Sequence, residues 1–318
     1  MKKLGRILFI DTVHPELEKI LSENGFECIY EPGVDQVKLI SIINQFEGLI
    51  VRSKLPINKE IISNANTLKF IGRVGSGMEN VDVEFAQSKG IRCLNSPEGN
   101  RDAVGEHTLA MLLALMRNIC RASMQVKQTI WNREENRGYE IHGKTVGIIG
   151  YGNMGSAFAQ RLRGFEANVI AYDKYKKGFG NEFVKEVEMD EIFNESDVLS
   201  LHVPLTEETN YLVNKDYLSK FKKPIILLNT SRGNVVKTSD LVWALKKDMI
   251  RGAGLDVLEY ESPTFYSLNS EMLDGDFVYL RHDYRVILTP HIGGWTHESN
   301  IKLSRVLAEK ILDLFKLG

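Results

Sequence analysis

Short apolar segments alternate along the chain with segments whose apolar residues recur at helical spacing. The first series contains RILFI, a predicted helix near residues 16–24, and then GLIV, FIGRV and IRCL. The second series contains TVGIIG, NVIAYD, DVLSLHVP, PIILLNTSRG, IRGAGLDV and VILTPHIGG. Alternation of strands and helices is typical of α/β proteins with parallel sheets. The pattern therefore predicts two α/β regions.

Two further segments have distinct patterns. Residues 102–131 carry leucines and methionines on one helical face, which predicts a long helix that crosses from the first region to the second. The tract over residues 262–285 is polar and aromatic without a clear period. We predict that this tract is an irregular surface excursion rather than a domain.

Length and composition limit the class of protein. A chain of 318 residues is long enough for two domains, each with its own core. The 40 basic and 42 acidic residues give a formal charge of -2, which argues against nucleic-acid and membrane partners and favours a small soluble molecule. The three cysteines are scattered without metal-ligand spacing, so we expect no metal site and a cytoplasmic location. The apolar run ILFI is too short for a signal segment or a membrane span.

A glycine-rich turn follows the first strand of the second series. Gly150, Gly152 and Gly155 form a GxGxxG pattern that also contains Asn153 and Met154, and Met154 opens a predicted helix. The pattern by itself is weak, but the order strand, turn and helix makes it a specific sign of dinucleotide binding. Gly150 permits the tight turn, Gly152 lets the backbone approach the pyrophosphate, and Gly155 lets helix and strand pack closely. The N–H groups at the helix start would then face the phosphates.

The next strand ends in a carboxylate, Asp173, about twenty residues further on. A carboxylate at this place hydrogen-bonds the adenine ribose and repels a 2′-phosphate, which predicts NAD as the cofactor. Three lysines follow, Lys174, Lys176 and Lys177, and cations beside the ribose would suit NADP instead. The sequence therefore favours NAD and leaves NADP as the alternative.

Reactive side chains follow several strands of the second series. Arg232 comes after PIILLNTS, and Asp256, Glu261 and His291 follow downstream. In open parallel sheets, ligands bind outside the carboxyl ends of the strands. One guanidinium, a carboxylate and an imidazole after a dinucleotide turn indicate hydride-transfer chemistry, with the histidine as acid and base.

The other histidines are weaker candidates for the acid and base. We interpret His14, His107, His142 and His297 as packing or surface residues because they lack a strand-end context. His282 has an adjacent carboxylate, Asp283, but neighbouring residues on an extended chain point to opposite faces. We therefore expect His282 and Asp283 not to act as a pair.

The motifs together resemble those of the D-isomer-specific 2-hydroxyacid dehydrogenases. The resemblance rests on GYGNMG, LHVPLTEETN, LLNTSRGNVV, GAGLDVLEYESP and LTPHIGGWT, and GLIVRS, GRVGSGMENVD and NSPEGN extend it over nearly the whole chain. GLIVRS and GRVGSGMENVD are similar to the phosphoglycerate dehydrogenase branch. The resemblance implies two domains, Rossmann-like and flavodoxin-like, with parallel sheets and an active site in the interdomain cleft. It assigns residues 1–98 and 292–318 to a substrate-binding domain and residues 99–291 to an NAD-binding domain.

The resemblance also implies a role for each reactive residue. Arg232 would bind the substrate carboxylate and polarise the 2-keto oxygen, as its planar fork allows. His291 would be the acid and base, and Glu261 would hold its second ring nitrogen. Asp256 would accept a hydrogen bond from the nicotinamide carboxamide.

Further residues are expected at the cofactor and at the substrate. By resemblance, the additional cofactor contacts are His202, Val203, Pro204, Thr230 and Ser231. The expected substrate contacts are Arg52, Ser53, Val74, Gly75, Ser76, Gly77 and Asn100. The glycines of the segment 74–77 would expose N–H groups to an anion, and in the phosphoglycerate branch these regions hold the carboxylate and phosphate of the substrate.

The sequence departs from the family pattern in two places. The family has proline directly after the catalytic glutamate, whereas this chain reads Glu261-Ser262-Pro263. Counting five residues from Asp256 selects Glu261, and Glu259 is the weaker alternative. Trp295 stands where relatives often have a small residue, and we expect its ring to narrow the substrate pocket.

The expected function is NAD-dependent oxidation of 3-phosphoglycerate to 3-phosphohydroxypyruvate in serine biosynthesis by a homodimer. Its interface would include the helical segment 102–131. Reduction of glyoxylate, hydroxypyruvate or another 2-keto acid is the alternative within enzymes. An NAD(H)-sensing corepressor or scaffold is the alternative from another class, because such proteins resemble this family.

Overall fold

The computed structural model describes residues 4–262 and 267–316, which form two compact units. Unit 1 contains the described residues up to 101 and from 295 onwards, and unit 2 contains those from 102 to 294. No helix among the described residues is both long and apolar enough to cross a bilayer. The predicted division into substrate-binding and NAD-binding domains stays a prediction, since the two units are defined by their internal packing.

The secondary structure alternates between strands and helices in both units. The strands are β1 (Gly5–Phe9), β2 (Phe26–Tyr30), β3 (Gly48–Val51), β4 (Phe70–Arg73), β5 (Arg92–Asn95), β6 (Thr145–Ile149), β7 (Asn168–Tyr172), β8 (Val184–Glu186), β9 (Val198–Leu201), β10 (Ile225–Asn229), β11 (Ile250–Leu255) and β12 (Val286–Leu288). The helices are α1 (Pro15–Glu23), α2 (Gln36–Ile42), α3 (Lys59–Ser63), α4 (Val83–Ser88), α5 (Arg101–Met116), α6 (Ile119–Lys127), α7 (Asn153–Arg161), α8 (Met189–Glu195), α9 (Lys215–Leu218), α10 (Thr238–Lys246), α11 (Gly275–His282) and α12 (His297–Lys316). Short 3₁₀ turns cover Ile43–Gln45, Pro97–Gly99, Leu162–Phe165, Gly233–Val235 and Ser270–Met272.

Unit 1 is built on a five-stranded parallel sheet in the order β2-β1-β3-β4-β5. This is the flavodoxin-like order. β3 and β4 are buried at every position, which explains why GLIV and FIGR carry so few polar residues. Helix α12 packs Leu303, Leu307 and Ile311 into the core of this unit. The chain after residue 294 therefore completes unit 1.

Unit 2 is built on a seven-stranded parallel sheet in the order β12-β11-β10-β9-β6-β7-β8. Six of these strands follow the Rossmann order, and β12 extends the sheet at one edge. The order reverses between β6 and β9, which pair with each other, and ligands of such sheets bind at this reversal. The structure confirms the predicted fold class of two parallel α/β sheets.

The predicted single helix over residues 102–131 is wrong. Helix α5 ends at Met116, and α6 begins at Ile119. Asn118 lies between them with a φ of 52°, a left-handed conformation that interrupts a helix and that asparagine tolerates better than most residues. The apolar stripe continues across this break, so periodicity alone did not reveal it.

The expectation of an irregular surface excursion over residues 262–285 is also wrong for its second half. Helix α11 lies in this tract, and its Leu280 is buried in the main core of unit 2 with Phe277 and Tyr279 packed against that core. Residues 263–266 of the tract lie outside the described residues. The helix was missed because its apolar residues, Phe277 to Leu280, are consecutive and show no helical periodicity.

Candidate active site

The glycine turn after β6 has the close contacts that a dinucleotide turn requires. Gly150 has a φ of 88°, and a Cβ there would lie 2.5 Å from the carbonyl oxygen of His202. A Cβ on Gly155 would collide with the carbonyl oxygen of Gly150. Both positions therefore need glycine for steric reasons. Gly152 differs, because a Cβ there would meet nothing within 4 Å.

The start of α7 fits a dinucleotide phosphate. Gly152 is its N-cap residue and supplies no side chain, and Asn153 and Met154 form the first turn. The first N–H groups of a helix have no partner within the helix and carry a partial positive charge. The open surface at Gly152 and these N–H groups together provide a place for the pyrophosphate of NAD.

Asp173, directly after β7, is held in place by backbone groups. Its carboxylate accepts hydrogen bonds from the N–H groups of Tyr151 at 2.8 Å, Tyr175 at 2.9 Å and Lys176 at 2.9 Å. Partial burial acts to raise the pKa of Asp173, but these hydrogen bonds outweigh it and lower the pKa below its usual value. The group is therefore an anion beside the glycine turn, as recognition of ribose hydroxyls requires.

The three lysines that left NADP open have other partners. Lys174 is paired with Glu208, and Lys177 lies 3.2 Å from Glu188. Lys176 donates to the carbonyl oxygen of Tyr151 at 3.3 Å. With the lysines engaged and Asp173 negative, the site suits the ribose of NAD better than a 2′-phosphate.

The predicted contacts after β9 and β10 lie next to the glycine turn in the sheet. His202 donates its backbone N–H to Ile149, and its Nε2 lies 2.8 Å from the hydroxyl of Ser200. Burial lowers the pKa of His202 to about 3, so its imidazole is neutral at physiological pH. Val203 and Pro204 continue this segment. After β10, the Thr230 hydroxyl contacts that of Thr108 at 3.1 Å, and Ser231 Oγ donates to Asn229 at 2.7 Å.

Asp256, directly after β11, anchors the segment that carries His291. Only 2 % of Asp256 is exposed. Its Oδ1 accepts from the Thr289 hydroxyl at 2.6 Å and from Ile292 N–H at 2.9 Å, and its Oδ2 accepts from Gly293 N–H at 2.7 Å. Burial acts to raise the pKa of Asp256, but these bonds and a contact with His107 outweigh it and lower the pKa. The expected bond to a nicotinamide carboxamide stays a prediction. In the structure, this carboxylate anchors the segment that carries His291.

His107 contacts Asp256, which the sequence analysis did not predict. Its Nε2 lies 3.3 Å from Asp256 Oδ1 and 3.1 Å from the Thr289 hydroxyl. The interpretation as a packing or surface residue was therefore wrong. His107 lies on α5, far from any strand end in the sequence, so no local signal pointed to Asp256.

His291 and Glu261 lie together, as the sequence analysis expected. The Nδ1 of His291 lies 2.7 Å from Glu261 Oε2, and Glu261 Oε1 accepts from Leu258 N–H. His291 has a φ of 55°, and its backbone N–H donates to the carbonyl oxygen of Asp256 at 2.8 Å. A positive φ on a residue other than glycine is unusual and is often found at functional sites.

The alternative carboxylate, Glu259, has another role. It accepts from Thr238 N–H at 3.1 Å, and burial raises its pKa. The geometry therefore selects Glu261 as the partner of His291.

Arg232 lies directly before the 3₁₀ turn Gly233–Val235, in an extended conformation. One of its guanidinium nitrogens donates to the carbonyl oxygen of Ser231 at 2.6 Å. A Cβ on Gly233 would collide with the backbone of Leu258. This close approach joins the segment with Arg232 to the segment that leads to Glu261.

The expected substrate residues of unit 1 lie at the carboxyl edge of its sheet. Arg52 and Ser53 follow β3, and Val74 to Gly77 follow β4. The Ser76 hydroxyl donates to Asn100 Oδ1 at 2.6 Å. Val74 is buried in the core, so only its backbone is available to a ligand.

Arg73 ties these segments together and was not selected from the sequence. Its Nε donates to the carbonyl oxygen of Arg52 at 3.1 Å, and its Nη1 donates to that of Gly77 at 2.8 Å. It ends the strand FIGR, directly before the expected substrate segment 74–77.

His282 and Asp283, the adjacent histidine and carboxylate in the sequence, have separate partners in the structure. His282 ends α11, and its Nδ1 lies 2.7 Å from the carbonyl oxygen of Val278. Asp283 is paired with Arg285 at 2.7 Å. The two side chains do not act together, although the reason is the helix end and not an extended chain.

Among the described residues, no group of three or more metal-ligating side chains is close enough to hold a metal ion.

Comparison with known families and sequences points in one direction. Residues 109–293 match the family described as D-isomer specific 2-hydroxyacid dehydrogenase, NAD binding domain. The chain is 34% identical over 313 residues to a D-3-phosphoglycerate dehydrogenase of Archaeoglobus fulgidus, which covers 98% of the chain and 57% of that protein. It is 37% identical over 306 residues to a hydroxypyruvate reductase of Thermotoga maritima, which covers 96% of the chain and 97% of that protein. The chain thus spans a little over half of the first relative and nearly all of the second.

Comparison with solved structures gives the same picture. The structure of D-lactate dehydrogenase from Aquifex aeolicus in complex with NAD and lactic acid is similar, with a TM-score of 0.82 and 28% sequence identity. The alignment covers 98% of this chain and 95% of that one. The similarity includes the sheets of both units and not the sheet of unit 2 alone.

Proposed function

The chain belongs to the D-isomer-specific 2-hydroxyacid dehydrogenase family, and from this we propose that it catalyses NAD-dependent oxidation of a 2-hydroxy acid. The observation that carries the proposal is the contact of His291 Nδ1 with Glu261 Oε2 at 2.7 Å, on a segment anchored by Asp256. A histidine oriented by a carboxylate is suited to move a proton. The family match and the Asp173 site together support NAD as the cofactor.

Each residue has a definite task in this reaction. NAD, when bound, supplies the hydride acceptor. His291 Nδ1–H donates to Glu261, and Nε2 is the ring nitrogen that would take the hydroxyl proton during oxidation and return it during reduction. The guanidinium of Arg232 binds the substrate carboxylate through its planar pair of N–H groups. Its contact with Ser231 limits where the guanidinium lies.

The preferred substrate in our proposal is 3-phosphoglycerate, which would place the reaction in serine biosynthesis. The support is the Archaeoglobus relative and a set of polar groups in unit 1, in which Arg52, Ser76 and Asn100 lie on linked segments. Arg52 would hold the phosphate, and the N–H groups of the segment 75–77 would assist it. A cytoplasmic location agrees with three cysteines that are all free thiols.

Reduction of hydroxypyruvate is the second candidate. The Thermotoga relative, which the chain matches over nearly its full length, is named for this activity. The same acid and base would serve, and the difference lies in whether the substrate carries a phosphate.

A parallel assay separates the candidates. Purified protein is mixed with NADH and, separately, phosphohydroxypyruvate, hydroxypyruvate, glyoxylate and pyruvate, and each series is repeated with NADPH. We expect the highest kcat/KM with phosphohydroxypyruvate and NADH. Higher kcat/KM with hydroxypyruvate would assign the second function. The NAD(H)-sensing alternative would be favoured if no acid is turned over and a protein partner is captured only in the presence of NADH.

We also propose that the protein is a homodimer and that α6 lies at its interface. No residue of α6 is buried. Exposed apolar side chains in and after this helix are Ile119, Met124, Val126, Ile130 and Trp131. A short helix that buries none of its apolar face is marginal in water, and a partner surface would stabilise it.

Sedimentation equilibrium tests this interface. We expect the wild-type protein to sediment as a dimer and Met124→Glu to shift it towards the monomer. Exchange of an exposed residue elsewhere, Glu182→Gln, should leave the dimer intact. A wild-type protein that sediments as a monomer over the whole concentration range would contradict the proposal.

A further inference from the structure

Two adjacent residues of α5, His107 and Thr108, contact the two segments that carry the proposed catalytic groups of unit 2. The Nε2 of His107 lies 3.1 Å from the hydroxyl of Thr289, which comes shortly before the proposed acid and base. The hydroxyl of Thr108 lies 3.1 Å from that of Thr230, which comes shortly before the arginine that would bind the substrate carboxylate. One turn of a single helix therefore touches both segments.

The partners of His107 determine which of its ring nitrogens carries a hydrogen. The Thr289 hydroxyl gives its only hydrogen to Asp256 Oδ1 at 2.6 Å, so its oxygen can only accept from His107. The carboxylate of Asp256 also only accepts, and its Oδ1 lies 3.3 Å from the same Nε2. The Nε2 of His107 therefore carries an N–H group, which it directs at these two oxygens.

The chain directly after His291 also lies against the ring of His107. A Cβ on Gly293 would lie 2.8 Å from Asp256 Oδ2 and 3.4 Å from Cδ2 of the His107 ring. The N–H of Gly293 donates to the same Oδ2 at 2.7 Å. The imidazole of His107 thus packs against Gly293, which follows His291, and contacts Thr289, which precedes it.

The hydroxyl of Thr108 has a similarly defined direction. It donates to the carbonyl oxygen of Val104 within α5 at 2.7 Å. In the contact with Thr230, the hydrogen therefore comes from Thr230, and Thr108 is the acceptor. Thr108 is fully buried, so bulk water does not compete for this bond.

Helix α5 is itself held in a fixed position beside the helix of the glycine turn. Gly105 packs closely against α7, because a Cβ there would lie 3.0 Å from the backbone of Ala157. Arg161 of α7 donates to Asp102 at 2.8 Å, and Leu112 is fully buried in the core of the unit. The same helix therefore contacts the proposed cofactor helix and both proposed catalytic segments.

We propose that His107 and Thr108 are positioning residues that fix the two proposed catalytic segments relative to one another. His107 sets the position of His291, and Thr108 sets the position of Arg232. This inference rests on the proposed function, because that function gives the two segments their tasks. The acid and base and the carboxylate-binding arginine would act on one substrate from different strands, so their separation has to be fixed closely.

Two replacements of His107 that differ by one methylene test its role. Glutamine can place an amide N–H near the position of Nε2, whereas asparagine is too short to do so. We expect His107→Asn to lower kcat about 10- to 100-fold for the 2-keto acid that is turned over best, with KM within about threefold, since a small displacement of a catalytic group reduces the rate strongly. His107→Gln should keep kcat within about threefold of the wild type. Equal kcat values for the two variants would overturn the role of His107.

A second pair of variants tests Thr108. Valine keeps the shape of threonine without its hydroxyl, whereas serine keeps the hydroxyl. We expect Thr108→Val to raise KM for the same acid about 3- to 10-fold, because Arg232 would bind the carboxylate, and Thr108→Ser to keep KM within about twofold. Equal KM values for these two variants would overturn the role of Thr108. The exposed His142 is the control, and His142→Asn should leave kcat and KM unchanged.

Hydrogen exchange followed by mass spectrometry separates this inference from the proposed reaction, because it needs no substrate. In His107→Asn we expect the N–H groups of Ile292 and Gly293, which donate to Asp256, to exchange about tenfold faster than in the wild type. His107→Gln should exchange nearly as the wild type does. If these groups exchange faster in His107→Asn but no acid is turned over, the proposed reaction is wrong and the positioning role stands. Unchanged exchange in His107→Asn, or an equal increase in β9 of the same sheet, would overturn the positioning role.

Discussion

The carboxyl edges of the two sheets hold their functional groups in different ways. In unit 2, Asp256 is buried and accepts hydrogen bonds from Thr289 and from two backbone N–H groups, and this fixes the segment that carries His291. In unit 1, the backbone of Arg52 is equally fixed, but its guanidinium rests on an exposed indole. One edge is held by buried polar contacts and the other ends in a surface contact.

The difference matches the tasks that we propose for the two edges. An acid and base must lie within hydrogen-bond distance of a reacting oxygen, and small displacements reduce the rate strongly. A group that selects among substrates by their charge needs only to be near an oxyanion. Buried contacts are therefore expected where chemistry occurs, and exposed contacts are sufficient where the substrate is selected.

Loss of His291, the proposed acid and base, should have the largest effect. Asparagine is the preferred replacement for His291, because it tolerates the φ of 55° at this position. We expect His291→Asn to lower kcat about 10²- to 10⁴-fold, since proton transfer by a positioned group contributes this much. Titration with NADH by fluorescence should give a nearly unchanged Kd. A kcat close to that of the wild type would remove His291 from the mechanism.

The contact between His291 and Glu261 was also the part of the site that the sequence predicted best. His291 and Glu261 follow strands of one sheet, and parallel strands bring their carboxyl ends to one edge. The anchoring by His107 could not be predicted in this way. It depends on how α5 packs beside β11, which places Nε2 at Asp256 without any sequence spacing that records it.

Removal of the buried charge of Asp256 should affect stability as well as activity. Asp256→Asn keeps one acceptor but turns an NH₂ group towards N–H donors of Ile292 or Gly293. We expect the free energy of unfolding of unit 2 to decrease by about 2–4 kcal/mol, because charged hydrogen bonds are lost in a buried place. Urea unfolding followed by circular dichroism measures this change. The exposed Asp216→Asn serves as the control, and equal stability of the two variants would show that Asp256 is not an anchor.

The neutral imidazole of His202 should make stability depend on pH. Burial lowers its pKa from 6.5 to about 3 in the folded state. Between these values the unfolded chain binds the additional proton, so the free energy of unfolding decreases as the pH falls below 6.5. We expect this group to contribute a slope approaching 1.4 kcal/mol per pH unit.

His202→Asn tests this contribution. Urea unfolding over roughly pH 5 to 7 should show a shallower decrease in stability than the wild type, and the exposed His142→Asn should retain the wild-type slope. Identical slopes for the wild type and His202→Asn would mean that folding does not lower the pKa of His202.

The Arg52–Trp295 contact shows where prediction from sequence stopped. The family resemblance selected Arg52, and the unusual size of Trp295 was visible beside His291. The two residues are far apart in the sequence, and the return of the chain to unit 1 after residue 294 brings them together. The resemblance therefore pointed to both residues but not to their contact, and the expected role of Trp295 followed from its size alone.

Removal of the Trp295 ring should have the smallest effect on stability. An exposed cation–π contact contributes about 0.5–1 kcal/mol, so we expect Trp295→Ala to lower the free energy of unfolding by less than about 1 kcal/mol. Tyr284→Ala, with its similar exposure and its own arginine, should change stability by a similar amount. Urea unfolding of both variants measures this. A loss of about 3 kcal/mol or more in Trp295→Ala, as for a buried aromatic ring, would show that unit 1 depends on Trp295 for its folding. The contrast between a buried catalytic edge and an exposed selective edge would then be wrong.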